Sequence, residues 1–113
     1  MGSSSKKYEG AVSWCAFGDA EEGDVTRAIL RPNGELVLDL TTQGYVYSVA
    51  LKEKSVQEYI GNWFCLDNGV ESSGTARATL YRGTRGDMLY GSWSEDGRYQ
   101  WWVELVEVEN FRS

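Results

Sequence analysis

Two cysteines, Cys15 in "WCAF" and Cys65 in "FCLD", stand fifty positions apart and are the only thiols in the chain. A thiolate nucleophile needs a base within hydrogen-bond reach or a depressed pKa. With no histidine in the sequence, a carboxylate or a lysine would have to supply that help. The missing histidine and the lack of a C-x-x-C pair also remove the usual ligand sets of a zinc site. The acids add little: Glu21 and Glu22 fall in a turn-like segment, and Glu104, Glu107 and Glu109 lie near the end of the last strand-like run, where solvated charge is ordinary. A tyrosine or carboxylate held inside the fold keeps general acid or base chemistry open as a third reading. No residue is singled out as catalytic or metal-ligating, no cofactor is expected, and the balance leans away from an enzyme. The types in excess are aromatic, five Trp and seven Tyr, which serve cores, interfaces and ring-stacking sites.

Seventeen acids against eleven bases give a net charge of −6. No cluster of Lys and Arg matches what phosphate neutralisation requires, so a nucleic-acid partner is not expected. At 113 residues and 42% hydrophobic, the chain is long enough to bury one core. No apolar run approaches the ~20 residues that span a bilayer. The N-terminus lacks the apolar segment of a secretory signal, so the chain reads as soluble and cytoplasmic, with no membrane partner. "MGSSSKK" resembles an N-myristoylation start, but Lys6 stands where Ser or Thr is required, and lipidation is not expected. Residues 1–7 read as a disordered leader to a single domain over 8–113.

Gly-, Asp- and Asn-rich segments at 17–24, 31–35, 41–45, 66–74, 82–87 and 94–99 punctuate runs rich in Val, Leu, Thr, Trp and Tyr. Asn33-Gly34 and Asp96-Gly97 offer the positive φ of tight hairpins, and Gly44 and Gly86 can serve similarly. The pattern predicts eight strands, at 8–17, 24–31, 35–41, 44–51, 59–66, 74–82, 87–94 and 98–108. Only "KEKSVQEY", 52–59, leaves room for a helical connector, of two turns at most.

The two halves align on each other. At an offset of 50, Cys15, Glu21, Arg27, Ala28 and Leu30 meet Cys65, Glu71, Arg77, Ala78 and Leu80. At 52, Gly34-Glu35-Leu36 meets Gly86-Asp87-Met88, and at 54, Tyr45, Val49, Leu51 and Glu53 meet Tyr99, Val103, Leu105 and Glu107. This predicts an internal duplication of a four-stranded unit, repeat one over about 8–53 and repeat two over about 59–109. A four-stranded meander cannot bury its apolar face alone, so two of them must close on each other. The expected fold is all-β, an eight-stranded antiparallel up-and-down barrel, with a two-sheet β-sandwich as the alternative.

Strand alternation assigns the faces. The expected interior holds Leu36, Leu38 and Leu40, and Tyr45, Tyr47, Val49 and Leu51. It also holds Met88 and Tyr90, Tyr99, Trp101, Val103 and Leu105, and, through the repeat, Trp14 and Phe64. Cys15, Cys65, Arg27 and Arg77 then point outward, with the cysteines too far apart for a disulfide. Because eight strands enclose either a packed core or one small ligand, the expected ligand-binding residues are Trp14, Tyr45, Tyr47, Tyr90, Tyr99 and Trp101. On the outside, Trp63, Tyr81, Leu89, Trp93 and Trp102 form an expected apolar interface patch, best explained by a homodimer.

"GNW" (Gly61–Trp63) and "GSW" (Gly91–Trp93) resemble the G-x-W element that opens strands in calycins, the superfamily of lipocalins, fatty-acid-binding proteins and avidins. The resemblance implies an up-and-down barrel that binds a small, often apolar ligand inside. It departs from the family pattern in lying mid-chain, and it maps no binding residue. The leading expectation is therefore non-enzymatic binding of a small apolar or aromatic ligand inside a barrel. The alternative is an interaction module that uses the outer Trp-rich face.

Overall fold

In the computed structural model, which describes residues 5–16, 19–42, 45–67, 69–84, 86–94 and 98–111, eight antiparallel strands close into an up-and-down barrel. They are β1 (Lys6–Ala16), β2 (Asp19–Leu30), β3 (Glu35–Thr42), β4 (Tyr45–Ser55), β5 (Glu58–Asp67), β6 (Val70–Arg82), β7 (Asp87–Ser94) and β8 (Arg98–Val108). Each strand pairs with its chain neighbours, and β1 pairs with β8 from Lys7↔Val108 to Cys15↔Gln100. Closure leaves no sheet edge, which rules out the sandwich.

Apolar residues two apart build the interior, because alternate side chains share a face. Leu36, Leu38 and Leu40 on β3, Val49 and Leu51 on β4, Ala78 and Leu80 on β6, and Trp101, Val103 and Leu105 on β8 are all buried, as expected, and Ala76 on β6 is buried with them. An extra residue at Thr26 breaks the rhythm of β2, so that Val25 and Ala28, three apart, both face inward. Arg27 and Arg77 point out. Arg27 lies over the Phe111 ring, 4.9 Å from its centroid. This is apolar inside and charged outside, the reverse of a membrane-spanning barrel. No helix among the described residues is long and apolar enough to cross a membrane.

Two strands run in the opposite phase to the one expected. On β5, Trp63 is 4% exposed and Cys65 is buried, while Phe64 is 41% exposed and Leu66 is exposed as well. On β7, Leu89 is 0% exposed, whereas Tyr90 is 44% exposed and Met88 faces out with it. Side chains alternate with period two, so an alignment offset of the wrong parity inverts a whole strand. The offsets of 50 and 52 did this to β5 and β7.

The helical connector is also absent. β4 runs on to Ser55 and turns through Val56 and Gln57 into β5. Gln57 takes φ 63° and exchanges two bonds with Leu80, its main-chain oxygen accepting from Leu80 N at 2.8 Å and its Nε2 donating to Leu80 O at 2.9 Å. A helix there would have given up these ladder and turn bonds. At the β2–β3 turn, Gly34 has the anticipated positive φ, 88°, with Asn33 Oδ1 accepting from Glu35 N. Asp96-Gly97 and Gly44 lie outside the described residues. β1 starts at Lys6, so pairing takes in the last two residues of the expected leader, and residues 1–4 lie outside the described residues.

Candidate ligand site at the aromatic end

The interior differs from one end to the other. Where β1, β3, β5 and β7 begin, it is filled by Leu36, Leu51, Leu80 and Leu105, with Tyr8 and Tyr59 as plugs. Tyr8 Oη donates to Asp87 Oδ2 at 3.1 Å, and Arg82 Nη1 lies 3.8 Å from the same oxygen. Burial, followed by the Asp87 charge, pushes the Tyr8 phenol up to about 12. Burial, followed by Glu53, raises that of Tyr59. Both phenols are therefore neutral across the physiological range.

At the other end, where those strands finish, the interior is aromatic. Two indoles are pinned by the same device. Trp101 on β8 stands opposite Gly91 on β7, and its Nε1 reaches across to donate to Arg77 O on β6 at 3.1 Å. Trp63 on β5 stands opposite Gly74 on β6, and its Nε1 donates to Ser94 O on β7 at 2.9 Å. The glycines are required: a Cβ on Gly91 would lie 1.8 Å from Arg77 O, and one on Gly74 would lie 2.6 Å from the Trp63 Nε1 itself. A buried indole N–H without an acceptor is costly, so these bonds fix the two rings in place.

The other aromatic rings pack against this pair. Tyr47 meets Trp63 edge-on at 5.9 Å. Trp93 is stacked on Tyr99 at 5.6 Å, edge-on to Trp101 at 5.9 Å and tilted against Trp14 at 5.8 Å. Between them lies a cavity of ≈ 20 Å³, completed by Leu40, Val49 and Ala76. That is room for about one water molecule.

Trp14, Tyr47 and Trp101 thus meet at the cavity, Tyr99 backs it through Trp93, and Tyr45 stands half-exposed on the rim. Tyr90 belongs to the outer surface, its hydroxyl 3.4 Å from Gln100 Oε1. Of the five residues expected at the outer interface, Trp63 and Trp93 line the cavity and Leu89 is in the core, because of the inverted phase of β5 and β7. Tyr81 and Trp102 do point outward. The Leu40 and Val49 walls were in the expected inward phase; Ala76 went unnoticed, although it shares the alternation of Ala78 and Leu80.

Each G-x-W element now has a physical meaning. Gly61 and Gly91 sit where a neighbouring strand's backbone presses in, and the tryptophan two residues on is aimed into the barrel. No family model matches the chain, and neither a curated protein nor a solved structure does. The likeness to calycins therefore stands on barrel architecture and these two elements. The two cysteines form no disulfide, Cys65 facing the interior and Cys15 lying on the outward phase of β1. Among the described residues, no three Cys, Asp or Glu side chains gather as a metal site would need.

Proposed function

We propose that the barrel binds a small, uncharged apolar or aromatic ligand at its aromatic end. The observation that carries this reading is a carbon-lined cavity whose two buried indole N–H groups are already spent on main-chain carbonyls. Such a lining rewards ring surface and penalises charge, which would enter without a partner. The leucines below it fill the rest of the interior, so the ligand sits at the mouth instead of deep in the barrel. The resemblance to calycins points the same way.

The test is titration with N-phenyl-1-naphthylamine, an uncharged dye that brightens in apolar surroundings. Wild-type protein brightens it, Ala76→Val, which fills the cavity, abolishes the response, and Tyr90→Ala on the outer face leaves it unchanged. A response that survives Ala76→Val or disappears in Tyr90→Ala contradicts the reading.

A second reading, assembly of two copies through the outer face, draws on the adjacent outward pairs Tyr81↔Met88 and Tyr90↔Trp102 on β6, β7 and β8. It predicts a dimer by light scattering that Trp102→Lys converts to monomer. A wild-type monomer at high concentration contradicts it.

A further inference from the structure

We propose that Trp93 is the resident occupant of the ligand slot, and that the ligand is an uncharged planar bicyclic ring, the size of an indole, that takes its place. This rests on the ligand-binding reading above and adds to it the shape of the ligand and the way it enters. A cavity of ≈ 20 Å³ cannot admit a ring. An apolar cavity that takes benzene measures about 150 Å³. Binding therefore requires a lining side chain to leave.

The candidates are unequal. Trp63 and Trp101 are almost fully buried and bonded to main-chain carbonyls, so moving either strands a donor and an acceptor together. The indole N–H of Trp93 makes no hydrogen bond among the described residues, and its ring is only partly buried. Packing against the core and ring contacts hold it, and the rings come from three sides: Tyr99, Trp14 and Trp101, at 5.6 to 5.9 Å. Trp14 has one such ring contact, to Trp93 itself. The space left by Trp93 would be a flat slot with a stacking face on Tyr99 and two further rings beside it, a shape that fits another bicyclic ring. Trp93 also sits one residue from the end of β7, so its side chain can swing outward while the paired residues behind it stay in register. Charge on the ligand is opposed twice: the lining is carbon, and Glu21 stands across from Trp14 in the β1–β2 ladder at the rim. An anionic ring therefore binds worst.

Two experiments on the full chain test this. Calorimetric titration with indole compares the wild type with Trp93→Ala. A resident side chain that leaves the slot free in only 0.1–10% of molecules weakens apparent affinity by the same factor, so the variant should bind indole roughly 10- to 1,000-fold more tightly. In parallel, the five indole N–H resonances of the wild type are followed as indole is added. The Trp93 signal should move to the position of a water-exposed indole, while the Trp63 and Trp101 signals keep their hydrogen-bonded positions. Indole-3-acetate should bind more weakly than indole to both proteins. Binding to the wild type with an unmoved Trp93 signal, or equal or weaker binding by a folded Trp93→Ala, overturns the displacement and leaves the ligand-binding reading standing. If the variant does not fold, the wild-type resonances decide alone. Indole-3-acetate binding as tightly as indole overturns the charge assignment. If neither protein binds any ring, the ligand-binding reading fails and the displacement with it.

Discussion

The leucine end and the aromatic end of the barrel fill their interiors in different ways. At the leucine end, branched aliphatic side chains meet across the axis with almost no exposure, and Tyr8, bonded to Asp87, caps them. At the aromatic end, large flat rings meet stacked, tilted or edge-on, leave a small void and keep Trp14, Tyr47, Trp93 and Tyr99 partly open to solvent. Aliphatic side chains interlock at crystal-like density, so one end is committed to stability. Rings held by one another, with only two of the five tryptophans pinned by a bond across a glycine, can rearrange at modest cost.

The sharpest way to break this contrast is to truncate one residue at each end. Leu105→Ala should cost about 3 kcal/mol, the transfer term plus a cavity that neighbours cannot fill. Trp93→Ala removes a larger side chain yet should cost less, about 1–2 kcal/mol, because its ring is only partly buried and its N–H makes no hydrogen bond among the described residues. Denaturant midpoints at constant m-value measure both. Equal costs, or a larger one for Trp93, would show that the aromatic end is as tightly built as the other.

Gly91→Ala sharpens the account of the pinned pair. Its new Cβ would lie 1.8 Å from Arg77 O, the acceptor of the Trp101 indole. The strand must shift, at a cost of about 2–3 kcal/mol, and the Trp101 N–H should lose its protection from hydrogen exchange. A protected Trp101 in a stable Gly91→Ala would mean that the glycine is not what admits the indole.

The smallest expected effect is at the leucine end. Tyr8→Phe should cost about 1 kcal/mol at neutral pH, through the lost bond to Asp87. Unfolded, the Tyr8 phenol ionises near 10; folded, it ionises at about 12. The unfolded chain thus loses the proton first, and the stability held in the neutral phenol is complete below pH 10 and declines as pH rises toward 12. Tyr8→Phe should flatten that decline, as followed by denaturation at pH 9 to 12.

Strand number, antiparallel order and six of the eight inward phases could be read from alternation, because Leu36-Leu38-Leu40 or Trp101-Val103-Leu105 admit no other reading of a half-buried strand. β5 and β7 could not be read in this way. "NWFCL" is apolar on both faces, and "MLYGSW" carries Met88 and Tyr90 outside against Leu89 and Trp93 inside, so nothing local distinguishes the phases. Borrowing the phase from the other half, through Cys15 and Cys65 for β5 and through Leu36 and Met88 for β7, chose the wrong parity; an offset of 51, matching Tyr8-x-Gly10 to Tyr59-x-Gly61, has the right one. Those two offsets moved Trp63 and Trp93 out of the candidate site and brought Tyr90 into it. The Trp-over-Gly joints were beyond the sequence altogether, since each connects three strands.

The central claim is that the aromatic end is the binding end. Its most direct test is a titration of uniformly ¹⁵N-labelled protein with naphthalene, mapped by backbone and indole resonances. Shifts should concentrate at Trp14, Tyr47, Ala76, Trp93 and Trp101, with Leu36, Leu105 and the outward Tyr81 and Trp102 unmoved. Saturable shifts centred on Tyr81 and Trp102, or none at all, would contradict it.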